Sequence, residues 1–427
     1  MHLLKKTIVV IAATCALSAQ AMAEEAELPN WQEDTLTGDW GGLRADLYKK
    51  GIELGFTHKS DVLANVSGGL KRGVAWLGHT EARFSFDLEK LWGWDGTTIY
   101  AVYHSDLGSK FNSNYVGGFM GVDNIEVGTN TAQFYQAYAQ KNFLDNHISV
   151  LAGLYAIDTE FYVPETSGIF LQPPYGMANE VAQAGINGPA IFPLGALAVR
   201  LKLKSPGEHF YAMAALTDGV PGNPNDQHGT SIRLDKGDGT FFIAEFGYTP
   251  PKAVPPLLPA GAQAQEETET FNKTAIGYWR YSGQFDAIDG SGSRHRNQGI
   301  YLIAERTLFN EKEHPSQGLA AFLRFGVASD SVNQADWSGS LGLRYRGLIA
   351  GRDDDIAGLA VTVNHAGNTY RQANASESHE ANFEATYRAQ ITPYFAVQPS
   401  VQLITNPNMD ASMKNAWVIG SRFEVEF

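Results

Sequence analysis

Alternation of apolar and polar residues along short segments is the feature that most constrains the fold of this chain. Residues 415–427, 379–392 and 197–204 each place apolar side chains at every second position, with charged or polar ones between them. Successive side chains of a strand point to opposite faces, so each segment predicts a strand with one apolar and one polar face. A strand between lipid and a water-filled lumen needs this pattern over about ten residues.

The same pattern predicts about sixteen strands along the chain. They lie near residues 51–66, 73–90, 96–107, 131–143, 147–158, 194–204, 208–217, 239–249, 271–282, 298–309, 318–329, 337–349, 356–367, 379–392, 394–405 and 415–427. An even strand number is expected of a bacterial outer-membrane barrel, and about sixteen strands enclose an aqueous channel. The predicted fold class is therefore all-β: a transmembrane antiparallel β-barrel with a short N-terminal helical segment.

The lengths of the connections also favour a barrel, because barrels of this kind alternate short periplasmic turns with longer outside loops. Short turns are expected at residues 91–95, 144–146 and 205–207 and around Pro393, and long loops at residues 108–130, 159–193, 218–238 and 283–297. The Pro-rich segment 250–270 lies on the short-turn side and departs from this rule.

Alternation also predicts the surroundings of individual side chains. Lipid-facing positions are expected at Phe383, Tyr387, Leu201 and Phe423, and water-facing positions at Glu384, Arg388, Lys202 and Arg422. A soluble β-sandwich or propeller would also alternate, but tryptophans near strand ends favour the interfacial girdles of a barrel. These are Trp76, Trp92, Trp94, Trp279, Trp337 and Trp417.

Residues 1–23 are expected to be a cleaved signal peptide. Lys5 and Lys6 precede the apolar run 8–17, and Ala21 and Ala23 form a small-x-small cleavage site. The only cysteine, Cys15, lies in this segment, so disulfides, thiolate catalysis and cysteine-bound metals are excluded from the exported chain. Without its two lysines, the chain has 30 basic and 46 acidic residues, a balance that argues against nucleic-acid binding.

Motifs of enzyme chemistry are absent from the sequence. It contains no H-E-x-x-H, G-x-S-x-G, Walker or paired-glycine dinucleotide motif, and the eleven histidines are scattered. We therefore expect no enzymatic activity, no cofactor and no metal site. A hydrolase on a barrel and a purely structural barrel are the other classes considered, and bilayer conductance would separate the latter from a channel.

The segment Leu36-Thr37-Gly38-Asp39-Trp40-Gly41-Gly42-Leu43-Arg44 resembles the N-terminal signature of carbohydrate-selective porins, the OprB family. The resemblance continues through residues 83–88, residues 153–161 and the closing strand. It implies a sixteen-stranded barrel in the outer membrane, an N-terminal segment packed at the barrel, and uptake of glucose and similar small sugars. Porins for polyhydroxylated organic acids and general diffusion porins are the alternatives.

The expected partners follow from the predicted barrel and from the family resemblance. They are small sugars, outer-membrane lipid and lipopolysaccharide, and the barrel-assembly machinery, which would recognise Phe427 and the strand before it. The resemblance also allows a homotrimer.

Residues 24–50 are expected to form a periplasmic segment with a short helix, and residues 51–427 the barrel. Asp39 is predicted to cap that helix, with Leu43, Leu47 and Tyr48 on one face. The segment could narrow the periplasmic mouth or simply cover the edge of the barrel, and the sequence leaves both open.

Loop 159–193 is the candidate constriction, because so long a loop in a compact fold usually has a function. Acidic and basic residues there and on inward faces offer acceptors and donors to sugar hydroxyls, although each could be an ordinary solvated lumen charge. The candidate residues are Glu81, Arg83, Asp87, His104, Asp106, Asp158, Glu160, Asn179, Glu180, Arg200, Lys202, Arg344 and Arg346. Tyr115, Tyr162 and Tyr175 are candidates either for stacking on sugar rings or for loop packing.

Overall fold

The computed structural model describes residues 28–250 and 268–427, and these form a closed barrel of sixteen antiparallel strands. Each strand pairs with its neighbours in sequence, and the first strand pairs with the last. The strands are β1 (Ile52–Ser67), β2 (Gly73–Asp87), β3 (Thr97–Gly108), β4 (Thr131–Phe143), β5 (Ile148–Tyr155), β6 (Ala196–Lys204), β7 (Phe210–Asp218), β8 (Thr240–Tyr248), β9 (Asn272–Asp286), β10 (Arg294–Asn310), β11 (Gly318–Ala328), β12 (Ala335–Arg346), β13 (Ile356–Ala366), β14 (His379–Thr392), β15 (Phe395–Thr405) and β16 (Ala416–Glu426). The predicted fold and strand number are confirmed.

Residues 28–250 and 268–427 also contain five short α-helices outside the strands. They are α1 (Trp31–Asp34), α2 (Leu43–Lys49), α3 (Leu88–Trp92), α4 (Asn179–Ala182) and α5 (Asn368–Ala373). A π-helix spans Asn112–Val116, and 3₁₀ turns span Ile157–Thr159, Glu165–Ile169, Pro173–Tyr175 and Pro407–Met409. Within the described ranges, no helix has the length and apolar character needed to cross a bilayer.

The alternation places side chains on the two faces as expected, with one correction. Phe383, Leu201 and Phe423 are exposed on the outside of the barrel. On the inside, however, Glu384 and Arg422 are buried and do not meet open water. The reason is that two loops, residues 109–130 and 156–195, fold into the lumen and cover them.

The interior of the barrel therefore contains a packed core, formed where loop 156–195 meets the wall. Tyr162 and Val181 of the loop pack there with Phe241, Trp279 and Tyr301 of the strands. Trp279 is thus no member of an interfacial girdle, because it faces inward and is fully buried.

The connection between β9 and β10 is shorter than the expected loop 283–297, because β9 extends to Asp286 and β10 begins at Arg294.

The N-terminal segment packs at the seam between β1 and β16. The Leu36 N–H donates to the Glu426 carbonyl (2.8 Å), and the buried Arg44 guanidinium donates to the Phe427 carbonyl and stacks on Trp40. The predicted Asp39 cap is wrong: α2 begins after Gly42, whose positive φ of 93° suits glycine, and no side chain caps the helix. Asp39 instead accepts the Arg44 N–H with its backbone carbonyl.

Two sequence predictions fall partly or wholly beyond the described residues. The signal peptide, residues 1–23, lies outside them, and so does most of the Pro-rich segment, residues 251–267.

Candidate channel constriction

Carboxylates of the barrel wall hold the backbone of loop 156–195 across the lumen. Glu245 of β8 accepts the Tyr162 N–H (2.8 Å), and Glu305 of β10 accepts the N–H and hydroxyl of Thr166 (3.0 and 2.9 Å). Further round, Glu384 of β14 accepts two successive N–H groups, those of residues 171 and 172, at 2.8 and 3.1 Å. Charged acceptors make strong hydrogen bonds to backbone donors, so the loop is fixed at three separate strands.

A buried arginine holds the carbonyl side of the same loop. The Arg324 guanidinium, on β11, donates to the carbonyls of Tyr162 (3.2 Å), Gly176 (2.8 Å) and Pro174. The Lys273 ammonium adds a bond to the Val163 carbonyl at 3.0 Å. Together these contacts fill the part of the lumen around Glu245, Glu305, Arg324 and Glu384, which we call the filled sector.

The three tyrosines considered for sugar stacking pack within the protein. Tyr162 is fully buried and stacks on Tyr301 with ring centroids 3.9 Å apart. Tyr175 is buried against Phe170 and Phe322, and Tyr115 packs on Phe111. The loop-packing interpretation therefore describes all three.

Loop 109–130 is held in a similar way and joins the first loop. Glu380 accepts the N–H groups of residues 119 and 120 at 2.7 and 3.0 Å, and Arg422 bridges Asp61 of β1 to the Asn124 side chain (2.7 Å). The Asn124 N–H donates to the Leu171 carbonyl at 2.7 Å. Within the loop, burial raises the pKa of Glu126 to about 7, although it accepts backbone N–H groups that favour its charged form.

A different arrangement is formed by six inward side chains of β14, β16, β1 and β2, which we call the open sector. Arg83 pairs with Glu81 (3.0 Å) and Glu426 (3.1 Å), while Glu424 pairs with Arg388 (2.8 Å) and approaches Lys59 (3.8 Å). These six side chains point inward yet stay between 21% and 37% exposed. Acids and bases here face water instead of loop backbone.

A third charged group lies where loop 156–195 leaves β5. Glu160 accepts from Arg200 (2.8 Å), from Lys202 (3.2 Å) and from the Tyr155 hydroxyl (2.7 Å). Burial opposes ionisation of this carboxyl, but the two cations outweigh it and lower the pKa of Glu160. The neighbouring Asp158 has a raised pKa because burial dominates there, despite bonds from the Tyr135 hydroxyl and the residue 192 N–H.

The structure distributes the candidate residues over several environments. Glu81 and Arg83 form one open pair, Glu160 joins Arg200 and Lys202, and His104 lies beside Asp106 in the wall. The others make local contacts: Asp87 caps α3, Asn179 and Glu180 are buried in α4, Arg344 pairs with Glu269, and Arg346 pairs with Asp354. Which of the candidates contact solute stays a prediction.

Sequence reasoning missed two groups of inward-facing side chains. Lys59, Glu424 and Glu426 of the open sector lie on the inward faces of their strands, so alternation alone could have found them. Glu245 and Glu305, which anchor loop 156–195, also occupy inward positions. Nothing in the local sequence shows that a distant loop lies against them.

A family model of carbohydrate-selective porins, the OprB family, matches residues 71–427. The chain belongs to this family. Porin B of Pseudomonas aeruginosa is 22% identical to this porin and aligns with 96% of it and 95% of the relative. A putative porin, QuiX of Acinetobacter baylyi, is also 22% identical and aligns with 96% of this chain and 98% of its own.

Solved structures agree with the fold of this porin. The high-pH structure of Pseudomonas putida OprB superposes with a TM-score of 0.78 at 19% identity, covering 94% of this chain and all of the other. Its low-pH structure gives a TM-score of 0.58 at 17% identity, covering 93% and 99%. Family and fold together indicate a non-enzymatic channel of the outer membrane.

Proposed function

We propose that this porin lets glucose and similarly small neutral sugars diffuse into the periplasm, and that they are selected between loop 156–195 and the open sector. The observation that carries the proposal is the row of paired, partly exposed charges on β14, β16, β1 and β2, in a lumen that also holds a loop fixed by buried hydrogen bonds. The loop narrows the lumen, and the row supplies the polar surface that solutes must pass.

The chemistry of the row suits sugar hydroxyls. Each hydroxyl both donates and accepts, so it can bond to Glu81 and Arg83 at once. Because Glu81 and Arg83 neutralise each other, the passage attracts neither anions nor cations strongly. Tyr100 and Tyr138 lie on the adjacent strands with ring centroids 5.5 Å apart, and their half-buried faces can contact the apolar face of a sugar ring.

Three further expectations belong to the same proposal. The chain is exported by a signal peptide that is cleaved after residue 23. Barrel-assembly machinery that recognises β16 and Phe427 inserts it into the outer membrane. There it associates as a homotrimer in contact with lipopolysaccharide. Support for membrane insertion comes from the exposed apolar side chains on the outer faces of the strands. Deleting Phe427 should reduce the amount of heat-modifiable protein in the outer membrane, and normal amounts would contradict this role.

Permeation through liposomes containing the purified porin tests the proposal. Wild type should pass glucose faster than neutral non-sugar solutes, sugar acids or amino acids of matched size. Arg83→Ala removes a donor and widens the gap, so conductance should rise and the preference for glucose should fall. Arg294→Ala is the matched control, because Arg294 is exposed at one end of β10, where it pairs with the exposed Asp286 and donates to the Gln284 carbonyl.

Two outcomes would contradict the proposal. Faster passage of sugar acids than of glucose would favour a porin for polyhydroxylated acids. An unchanged glucose preference in Arg83→Ala would move the selective contacts away from the open sector.

A further inference from the structure

Two histidines and an aspartate meet on the inner wall where β2 and β3 pair. His79 and Asp106 are direct partners in the register of these strands, and His104 lies two residues before Asp106, on the same face. Directly opposed residues have Cβ atoms about 4.5–5.5 Å apart, so the three side chains converge. His79 Nδ1 lies 2.7 Å from one carboxylate oxygen of Asp106, and His104 Nδ1 lies 2.9 Å from the other.

The polar atoms of this group are buried and incompletely paired. His104 and Asp106 are fully buried, and His79 nearly so. Among the residues that the structure describes, neither ring nitrogen of His104 has a hydrogen-bond partner, and Asp106 Oδ2 has none. His104 Nδ1 and Asp106 Oδ2 are close, but they are not aligned for a hydrogen bond. A buried polar atom without any partner costs about 1–3 kcal/mol, and His104 Nε2 is in this state, which points to a ligand.

The surroundings form a defined pocket wall around the group. The Phe192 ring packs edge-on against both imidazoles, with centroids 5.6 and 5.5 Å away, and Tyr135 packs on both His104 and Phe192. On the lumen side, Glu81 Oε2 lies 3.7 Å from His79 Nε2, and Lys59, the direct partner of His79 in the β1–β2 register, is a nearby cation. An ion from the lumen would therefore reach the group past Glu81.

We propose that His79, His104 and Asp106 bind one divalent transition-metal ion of the zinc class. One nitrogen from each imidazole and one carboxylate oxygen all lie within 4.8 Å of one another. Ligand atoms around tetrahedral Zn²⁺ lie about 3.4 Å apart, at bond lengths of about 2.0–2.2 Å, so small side-chain movements complete the site. Imidazole with carboxylate selects Zn²⁺, Ni²⁺ or Cu²⁺ over Ca²⁺ and Mg²⁺, which prefer oxygen alone. Water or Glu81 supplies the remaining ligand.

Metal titration of the intact barrel tests the site. The porin is purified in detergent without a polyhistidine tag, treated with a chelator and dialysed, and then titrated with Zn²⁺ in competition with a chromophoric indicator. Residues 24–427 contain no cysteine, so thiols cannot compete. Substitution with Co²⁺ gives a second readout, because visible d–d bands report the coordination of the ion directly.

Three variants separate the site from other histidines. His104→Gln removes a central ligand, and His79→Gln removes the ligand nearest the lumen, which is the milder change should His104→Gln fail to give a heat-modifiable barrel. The matched control is His365→Gln, because His365 of β13 also pairs with an aspartate, Asp336 of β12 at 2.7 Å, but lies outside the group.

Wild type and His365→Gln should bind one Zn²⁺ per chain, with the same affinity and the same Co²⁺ spectrum. Loss of second-shell partners alone weakens metal sites about 10–100-fold, so His79→Gln and His104→Gln should each weaken binding more than tenfold. Absence of stoichiometric binding to wild type would overturn the proposal, leaving a metal-free His–Asp–His group. Equal affinity in His79→Gln and wild type would overturn it as well.

Discussion

Inward-facing acidic residues have different roles in the filled sector and in the open sector, although the same alternation places them in both. In both sectors acidic residues occupy inward positions, yet Glu384 is fully covered by loop 156–195 whereas Glu424 stays partly exposed to the lumen. Glu384 accepts two backbone N–H groups, and Glu424 pairs with flexible basic side chains. Acids in the filled sector thus fix the shape of the channel, while acids in the open sector provide its polar surface.

This difference predicts different costs for similar substitutions. Backbone donors cannot follow a truncated side chain, so a buried acceptor that is lost leaves them unpaired. Long basic side chains can turn into water when their acidic partner is lost. Stability should therefore depend on the filled sector, and solute preference on the open one.

The largest effect is expected from deleting residues 165–185. This removes the loop backbone held by Glu305, Glu384 and Arg324, so the filled sector should open and single-channel conductance should rise more than in any point variant. Deletion of the exposed residues 232–236 is the control and should leave conductance unchanged. If both deletions conduct like wild type, the loop does not narrow the channel.

The next largest effect is expected in the free energy of unfolding, which Glu384→Ala should lower more than Glu424→Ala does. Glu384→Ala leaves two buried N–H groups without an acceptor, which should lower the free energy of unfolding by about 1–3 kcal/mol for each. Glu424→Ala removes partly exposed ion pairs, which contribute about 0–1 kcal/mol. Urea unfolding of both variants in the same detergent measures the difference, and hydrogen exchange should locate the loss in loop 156–195. Equal destabilisation would remove the distinction between the sectors.

Cysteine labelling should sharpen the comparison at the level of single residues. A membrane-impermeant maleimide should label Arg388→Cys rapidly and Ser400→Cys slowly, although both positions face inward, because loop contacts bury Ser400. Val401→Cys, exposed on the outer face, should be protected by lipid. Rapid labelling of Ser400→Cys in lipid would mean that the loop leaves the wall.

The smallest effect expected is a pH dependence of the stability of loop 109–130. The pKa of Glu126 is raised from 4.5 to about 7, so its contribution to stability is fully present below pH 4.5 and is lost as pH rises through about 7. Hydrogen exchange near Asn112, corrected for intrinsic rates, should be faster at pH 8 than at pH 5. Glu126→Gln should abolish this difference, and its persistence in that variant would assign it to another group.

The strands could be predicted from sequence because lipid and lumen impose the alternation directly on each segment. For that reason β4 and β14 have the bounds expected of them. Glu384 and Arg388 show where this reasoning ends, since both face inward on β14 but only Glu384 is covered. Its partner, Leu171, lies 213 residues away, and no local pattern encodes that contact.

The candidate sites divide in the same way. Glu81 and Arg83 follow from alternation, because they lie two residues apart on one strand face. The group of His79, His104 and Asp106 does not, because it depends on the register between β2 and β3. Scattered histidines in a sequence therefore argue less strongly against a metal site in a barrel, where register brings neighbouring strands together.

Closure of the barrel carries an entropic consequence for folding. The hydrogen bond from Thr57 to Glu426 joins residues 369 positions apart, whereas neighbouring strands are joined by short connections. Closing so long a segment costs on the order of 3 kcal/mol more than closing a ten-residue hairpin. The β1–β16 pairing should thus be among the last to form, and the bonds that Leu36 and Arg44 add there slow the reopening of the finished ring.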